Sequence, residues 1–145
     1  MKRLTYFACA LTLSVLTTIT VAACTSSDNS GTTTAPTPTV LSNEFTGTLT
    51  SNGAASYPFN VLTAGTVTAT IVALAPDLSQ LVGFGIGVWD GFSCQATPGV
   101  WNDKASQGTI VIGSVNSAGS LCVRIYDSQG TLPQPETYDI TVTHP

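Results

Sequence analysis

The stretch AGTVTATIVALAPD, residues 64–77, decides the fold class of this chain. Apolar residues at Val67, Ala69, Ile71 and Ala73 alternate with threonines, and this period of two places them on one face of a β-strand. Ala-Gly and Pro-Asp pairs, which favour turns, bound the stretch on either side. The stretch therefore predicts one strand with a buried face and a solvated face.

The same alternation recurs in short segments throughout residues 43–145. The other predicted inward-facing sets are Phe45, Gly47 and Leu49; Tyr57, Phe59 and Val61; Val82, Phe84, Ile86 and Val88; Leu121, Val123 and Ile125; and Tyr138, Ile140 and Val142. A further strand is predicted over 110–115, a hairpin turn at Asn52-Gly53, and a loop over 92–108. About seven or eight short strands in this length predict an all-β fold, an antiparallel, jelly-roll-like β-sandwich.

The composition limits the classes of partner. The chain has 145 residues, of which 8% are charged, and it contains only four Lys and Arg residues. Nucleic-acid binding requires a clustered basic face, so no nucleic-acid partner is expected.

The N-terminal residues have the organisation of an export signal. Lys2 and Arg3 precede an uncharged, mostly apolar segment that runs to residue 23. The tetrad Val21-Ala22-Ala23-Cys24 resembles the lipobox of bacterial lipoproteins. This resemblance implies a signal-peptide helix over residues 1–23, cleavage before Cys24 and acylation of that cysteine. The alternatives are an ordinary signal peptide and an uncleaved anchor.

The residues after the lipobox predict a tether. Residues 25–39 contain no large apolar side chain, so segment 24–42 is expected to be disordered. Loss of Lys2 and Arg3 changes the formal charge from −4 to −6, so acyl chains rather than basic residues would hold the protein to a membrane. The expected location is a bacterial cell envelope, with the domain facing the periplasm or the exterior. In a diderm bacterium Thr25, which is not acidic, favours the outer membrane.

Five segments of the domain are similar to bacterial pre-peptidase C-terminal domains. They are FTGTLT at 45–50, YPFNV at 57–61, AGTVTATI at 64–71, LCVRIYD at 121–127 and YDITV at 138–142. Domains of that family are small jelly-roll-like sandwiches appended to exported proteins. The resemblance implies a non-catalytic module associated with secretion, surface display or the binding of extracellular polymers.

Two cysteines, Cys94 and Cys122, remain in the predicted domain, because Cys9 lies in the signal segment and Cys24 in the lipobox. In an exported domain such a pair is expected to form a disulfide. We predict that this bond pins residues 94–108 onto the outer face of a sheet. Two buried free thiols are the alternative, and no metal site and no cofactor is predicted.

Gly83, Gly85 and Gly87 lie on one side of a predicted strand, together with Trp89. A strip without side chains permits the close approach of another group. One candidate is the protein's own segment 92–108, with Phe92 or Trp101 lying over the glycines. The other is a ligand, a glycan ring or an extended peptide, bound beside an aromatic surface. The residues predicted for that surface are Trp89, Trp101 and Tyr126.

No catalytic arrangement is predicted. His144 is the single histidine and lies beside the C-terminus, where chains fray, and most carboxylates fall at predicted turns. Calcium binding by the turn aspartates stays open. Arg124 is predicted to pair with Asp139 or Glu136 across neighbouring strands.

Three functional hypotheses follow. The first is an envelope lipoprotein, anchored to the membrane through Cys24, whose sandwich is a non-catalytic binding or structural module. The second is a carbohydrate-binding surface protein that uses exposed aromatic residues. The third is a subunit of an envelope complex that binds a protein partner through a strand edge. Coplanar exposed aromatic rings favour the glycan, whereas an uncapped edge strand or a large apolar patch favours the protein.

Overall fold

The computed structural model describes residues 39–145, so the predicted signal peptide, Cys24 and the predicted tether up to residue 38 lie outside the described range. It contains eight strands: β1 Leu41–Leu49, β2 Ala54–Val61, β3 Gly65–Ala75, β4 Val82–Trp89, β5 Cys94–Ala105, β6 Ile110–Val115, β7 Gly119–Tyr126 and β8 Glu136–His144. Strand β1 begins two residues before the predicted boundary at 43. Within this range no helix is long and apolar enough to span a membrane.

The strands form two four-stranded antiparallel sheets. Sheet I has the order β1-β8-β3-β6, and sheet II has the order β2-β7-β4-β5. Among consecutive strands only β4 and β5 are hydrogen-bonded neighbours, and every other connection crosses between the sheets. This is the strand order of a jelly roll built from two Greek keys, so the predicted fold class is confirmed.

The core lies between the two sheets, where the inward-facing side chains of both meet. Val67, Ala69 and Ile71 of the deciding stretch are fully buried there, as the alternation predicts. They pack in one cluster with Phe84 and Ile125 of sheet II. Burial of each large apolar side chain contributes roughly 1.5–3 kcal/mol, so the alternation of the sequence accounts for the packing of the two sheets.

The turn at Asn52-Gly53 forms, but it does not make a hairpin. Asn52 has a left-handed backbone with φ of 56°, and the Gly53 N–H donates to the Thr50 carbonyl oxygen at 2.8 Å. The strands on either side then diverge, because β1 pairs with β8 whereas β2 pairs with β7. The turn is a corner between sheets, so the prediction of a hairpin is wrong.

A β-bulge changes the alternation within β3. The register of β3 against β8 shifts between Ile71 and Ala73, and such a bulge adds one residue to the strand. As a result Leu74 is fully buried, whereas Ala73 is only half-buried. The prediction that Ala73 faces the core is therefore wrong, and the next residue, Leu74, takes the core position.

The two ends of the sandwich are formed by different sets of loops. One end holds the start of β1, the end of β8 and the loops 62–64, 90–93 and 116–118, and we call it the N-terminal end. The pairs Leu41↔His144 and Val61↔Gly119 lie at this end of the sheets. The opposite end carries the loops 50–53, 76–81, 106–109 and 127–135.

His144 is part of the packed structure, although its place in the sequence predicts fraying. The side chain is 2% exposed. Its Nε2 lies 2.7 Å from Oδ1 of Asn43, and its ring stacks on Phe59 with centroids 5.2 Å apart. Pairing of β8 with β1 along its whole length holds the end of the chain in the sandwich.

Candidate functional site

The glycine strip of β4 is covered by the protein's own residues. A Cβ on Gly83 would lie 2.1 Å from the ring of Tyr126, and one on Gly85 would lie 2.6 Å from the ring of Trp101. A Cβ on Gly87 would meet the Gln95 carbonyl oxygen at 2.3 Å. The prediction that Trp101 covers the strip is therefore confirmed at Gly85.

Phe92, the other residue predicted to cover the glycines, does not do so. It lies in the turn between β4 and β5 and is 95% exposed. The segment predicted as a loop is mainly strand β5, which pairs with β4. Because β5 runs alongside β4, its own residues reach the glycines and the turn residue Phe92 points away from the core.

The outer face of sheet II brings together three side chains, Trp101, Tyr126 and Arg124, which we call the aromatic face. The ring centroids of Trp101 and Tyr126 lie 5.7 Å apart with an angle of 48° between the planes. The Arg124 guanidinium carbon lies 5.6 Å from the Tyr126 centroid, within the range of a cation–π contact. The two rings are tilted rather than coplanar, so they do not make one flat platform.

The polar atoms of this face are partly engaged within the protein. The Tyr126 hydroxyl donates to a carboxylate oxygen of Asp103. Burial first, and then this hydrogen bond, raise the pKa of Tyr126 to about 12, so the phenol stays neutral at physiological pH. The Trp101 Nε1 is buried and has no hydrogen-bond partner among the described residues. A ligand on this face would therefore find ring surface and the Arg124 guanidinium, because the Tyr126 hydroxyl is engaged and the Trp101 Nε1 is buried.

Trp89 does not join the aromatic face. It is the last residue of β4, four residues beyond Gly85, and strand geometry separates two such positions by about 13 Å. It pairs with Cys94 at the N-terminal end and is partly buried. The structure thus unites Trp101 and Tyr126 of the three predicted aromatic residues and leaves Trp89 apart.

Arg124 does not face the carboxylates that the sequence suggested. It lies on β7 of sheet II, whereas Glu136 and Asp139 lie on β8 of sheet I. Strands β7 and β8 follow each other in the chain but belong to different sheets, so they do not pair. The predicted cross-strand ion pair is wrong, and the contact of Arg124 with Tyr126 replaces it.

A disulfide joins Cys94 and Cys122, with their Cα atoms 5.7 Å apart. It links β5 to β7, while β4 lies between these strands in the sheet, and a Cβ on Gly87 would come within 3.0 Å of the Cys94 sulfur. The missing side chain of Gly87 therefore leaves room for the bridge. The bond crosses the outer face as predicted, but the segment that it holds is a strand rather than a loop.

The turn between β4 and β5 is held by one carboxylate. Asp90 Oδ1 accepts from the N–H groups of Phe92 and Ser93, both at 2.8 Å. Its Oδ2 accepts from the Ser93 hydroxyl at 3.0 Å and from the Gln95 amide at 2.8 Å. The backbone bonds from Ser93 and Phe92 lower the pKa of Asp90 well below its usual range. The turn is therefore organised before any partner arrives, and it presents Phe92 to solvent.

Strand β6 is an edge strand of sheet I with an apolar outer face. It pairs with β3 on one side, and no described strand pairs with its other side. Ile110 and Ile112 are 57% and 61% exposed, and Val72 of β3 is also exposed on this sheet. The other edges carry Glu44 in β1, Pro58 in β2, or Asp103 and Lys104 in β5, all features that discourage pairing. Strand β6 has neither a charge nor a proline.

A small cleft opens between the two sheets next to β6. Its volume is about 120 Å³, a little below that of a cavity which admits benzene. The lining is mainly apolar and comprises Val67, Ile86, Gly87, Val88, Thr97, Val100, Gly113, Ser114, Val115 and Leu121. Val88, which the alternation placed in the core, is half exposed beside this cleft. A Cβ on Gly113 would meet Val100 and Ile86 only at ordinary contact distances of 3.4 and 3.9 Å.

The carboxylates are dispersed and mostly serve their own loops. Asp77 accepts from the N–H and hydroxyl of Ser79, and Asp127 accepts four backbone N–H groups at 2.9–3.2 Å. Glu136 is fully buried at the start of β8, and its Oε2 accepts from the Asp77 N–H at 3.1 Å. In residues 39–145 no three His, Cys, Asp or Glu side chains are placed to hold a metal ion.

Sequence reasoning missed the β6 edge and the exposed Phe92. A signal for the edge is present, because Ile110, Val111 and Ile112 are apolar in succession, whereas a strand with one solvated face should alternate. A signal for the turn is present too, because Asp90-Gly91 is a dipeptide typical of a hairpin turn, but it does not show that Phe92 points to solvent.

No family model matches this chain, and no curated protein is significantly similar to it. The resemblances to lipoproteins and to pre-peptidase C-terminal domains therefore stay predictions from the residues quoted above.

Proposed function

We propose that this protein is a lipoprotein of a bacterial cell envelope whose sandwich is a non-catalytic binding module. Acyl chains on Cys24 hold it to the membrane, and the domain binds a protein partner by strand addition at β6. The observation that carries the choice of partner is the unpaired apolar edge of β6 beside an open cleft. The disulfide between Cys94 and Cys122 supports an oxidising location outside the cytosol.

Strand addition would account both for the exposed apolar residues on the outer face of β6 and for the cleft on its inner side. A strand that pairs with β6 makes main-chain hydrogen bonds, and its side chains alternate between the two faces of the sheet. Those on the outer face would cover Ile110 and Ile112. Those on the inner face would point toward the cleft beside Gly113, where one small apolar side chain fits. The expected partner is therefore an extended segment with alternating apolar residues.

A glycan is the second candidate, because Trp101 and Tyr126 share one face of sheet II. It has less support than the protein partner. The rings are tilted by 48°, they cover Gly85 and Gly83 of the same sheet, and Trp89 lies elsewhere. The purified protein can be tested on a glycan array. Binding that is lost in Trp101→Ala and kept in Ile112→Ser would favour the glycan over the protein partner.

Site-specific crosslinking in cells tests strand addition. A photo-reactive amino acid at Ile112 should give a discrete protein adduct, and the same group at Thr48, exposed on the far edge of sheet I, should not. Gly113→Val should reduce the adduct at least about tenfold, the loss expected from about 1.4 kcal/mol of affinity, because its side chain occupies the cleft. Gly119→Val, where nothing lies within 4 Å, is the matched control. Equal adducts at Ile112 and Thr48 would refute the proposal.

The anchor is tested by the mass of the mature N-terminal peptide. An acylated Cys24 as the first residue supports the proposed lipoprotein. A mature chain that begins elsewhere, or an unmodified cysteine, would remove the membrane from the proposal and leave the question of strand addition to the crosslinking experiment.

A further inference from the structure

We propose that the N-terminal end of the sandwich docks on the surface of the bilayer that holds the anchor, with Phe92 and Leu62 entering the interfacial layer. This inference rests on the proposed acylation of Cys24. It goes further than the anchor, because it gives the domain a fixed orientation with the loops 62–64 and 90–93 toward lipid.

The N-terminal end concentrates exposed apolar side chains. Five of the ten large apolar residues exposed in residues 39–145 lie there: Val40, Leu41, Leu62, Val88 and Phe92. Phe92 is 95% exposed and Leu62 is 66% exposed, each at the tip of a connection between strands. Aromatic and aliphatic residues of this kind are the ones that bury favourably at a membrane interface.

The loops at this end carry a single ionisable side chain, which is exposed but engaged by hydrogen bonds within its own turn. Asp90 is the one ionisable side chain in the loops 62–64, 90–93 and 116–118. Both of its carboxylate oxygens accept hydrogen bonds within the turn, from Phe92, Ser93 and Gln95. No lysine or arginine lies in these loops, so the attraction is apolar and does not depend on anionic lipid.

The backbone of the turn that presents Phe92 is ordered before it meets lipid. The Asp90 carboxylate and the disulfide at Cys94 hold both sides of the turn before contact with lipid. A turn whose backbone is already fixed loses little backbone conformational entropy on binding. Phe92 can therefore act as an anchor even though the contact is small.

The tether begins at the same end and argues for lipid rather than a protein. Sixteen residues, 25–40, separate Cys24 from the start of β1 at Leu41. The flexible tether that the sequence predicts over this length would have an end-to-end distance of about 20–24 Å, which would keep the N-terminal end within reach of the bilayer. Such a linker gives an effective concentration in the millimolar range, so a weak apolar contact is occupied much of the time.

Fluorescence quenching of the acylated full chain tests the orientation. The protein is placed in phosphatidylcholine vesicles with or without brominated acyl chains, as the variants Trp101→Phe and Trp89→Phe, which each retain one tryptophan of the two in the chain. We expect at least about twofold stronger quenching of Trp89, at the N-terminal end, than of Trp101. Phe92→Ser should abolish this difference, whereas Leu78→Ser, which changes an apolar residue 61% exposed at the opposite end, should leave it.

A second measurement covers the case in which Trp101→Phe fails to fold. In the otherwise unchanged chain, amide hydrogen exchange of residues 90–93 should slow on membrane binding, and that of residues 76–81 should not. Equal quenching of the two tryptophans, or unchanged exchange at 90–93, overturns the orientation while an acylated Cys24 still supports the anchor. A photo-crosslinker at Phe92 that gives protein adducts and no lipid adducts also overturns it. A chain without acyl groups overturns the anchor and the orientation together, and leaves strand addition to the crosslinking experiment.

Discussion

Two glycines with different space around them, Gly87 in β4 and Gly113 in β6, should respond oppositely to the same substitution. A Cβ on Gly87 would lie 2.3 Å from the Gln95 carbonyl oxygen and 3.0 Å from the Cys94 sulfur. Neither atom can move easily, because one belongs to the backbone of β5 and the other to the disulfide. A Cβ on Gly113 would lie 3.4 Å from Val100 Cγ1 and 3.9 Å from Ile86 Cδ1, which are ordinary contacts.

These distances give the sign and the size of each effect. Overpacking typically costs about 1–3 kcal/mol, and for Gly87→Ala we expect the upper part of that range, about 3 kcal/mol, because the β4–β5 pairing must open. For Gly113→Ala we expect no loss and a gain of up to about 1 kcal/mol, because alanine restricts the unfolded chain and its methyl group enters the cleft.

Urea unfolding of the oxidised protein, followed by tryptophan fluorescence, measures both variants. The free energy of unfolding should fall for Gly87→Ala and stay the same or rise for Gly113→Ala. Equal losses in the two variants, or a loss below about 1 kcal/mol for Gly87→Ala, would refute the argument that β5 and the disulfide lie directly over Gly87.

Three further outcomes are expected. Reduction of the Cys94–Cys122 disulfide should lower the free energy of unfolding by about 3.5 kcal/mol, the chain-entropy value for a loop of 28 residues. An unchanged unfolding midpoint in reductant would contradict this expectation. Partial desolvation of Asp127 would raise its pKa, but the four backbone N–H donors outweigh this effect and the pKa is lowered. The ionised carboxylate therefore contributes fully to stability above the unfolded pKa of 3.8, and this contribution is lost as the pH falls below that value. Acid titration of stability should therefore be shallower for Asp127→Asn than for wild type, and equal slopes would count against this role. His144→Ala should lower the free energy of unfolding by about 3 kcal/mol in denaturant unfolding, since it removes a buried ring and a hydrogen bond. Asn43→Ala should lower it by less. No loss for His144→Ala would mean that the end of β8 frays.

The candidate surfaces were only partly predictable. Residue types indicated that either Phe92 or Trp101 covers the glycines of β4, and that Cys94 bonds to Cys122. The structure places Trp101 there and forms the disulfide. The partner of Arg124 was not predictable in the same way. Its neighbours depend on which strands lie side by side, and in this fold β7 and β8 belong to different sheets.

Local periodicity by itself determined that this protein is a β-sandwich. The alternation through Val67, Ala69 and Ile71 gives each strand one apolar face, and two sheets that bury such faces against each other are the stable arrangement. The pairing of Cys94 with Cys122 likewise followed from the order of residues in the chain.

Only the tertiary structure decided which strands pair and which edge stays open. Hydrogen bonds between strands join residues far apart in sequence, such as Leu41 with His144, and no local pattern specifies them. The same long-range pairing leaves β6 at an edge beside the cleft and brings Phe92 and Leu62 to one end. The surfaces proposed to bind a partner and a membrane are therefore products of topology, because they are assembled from residues that each appear unremarkable in their own segment.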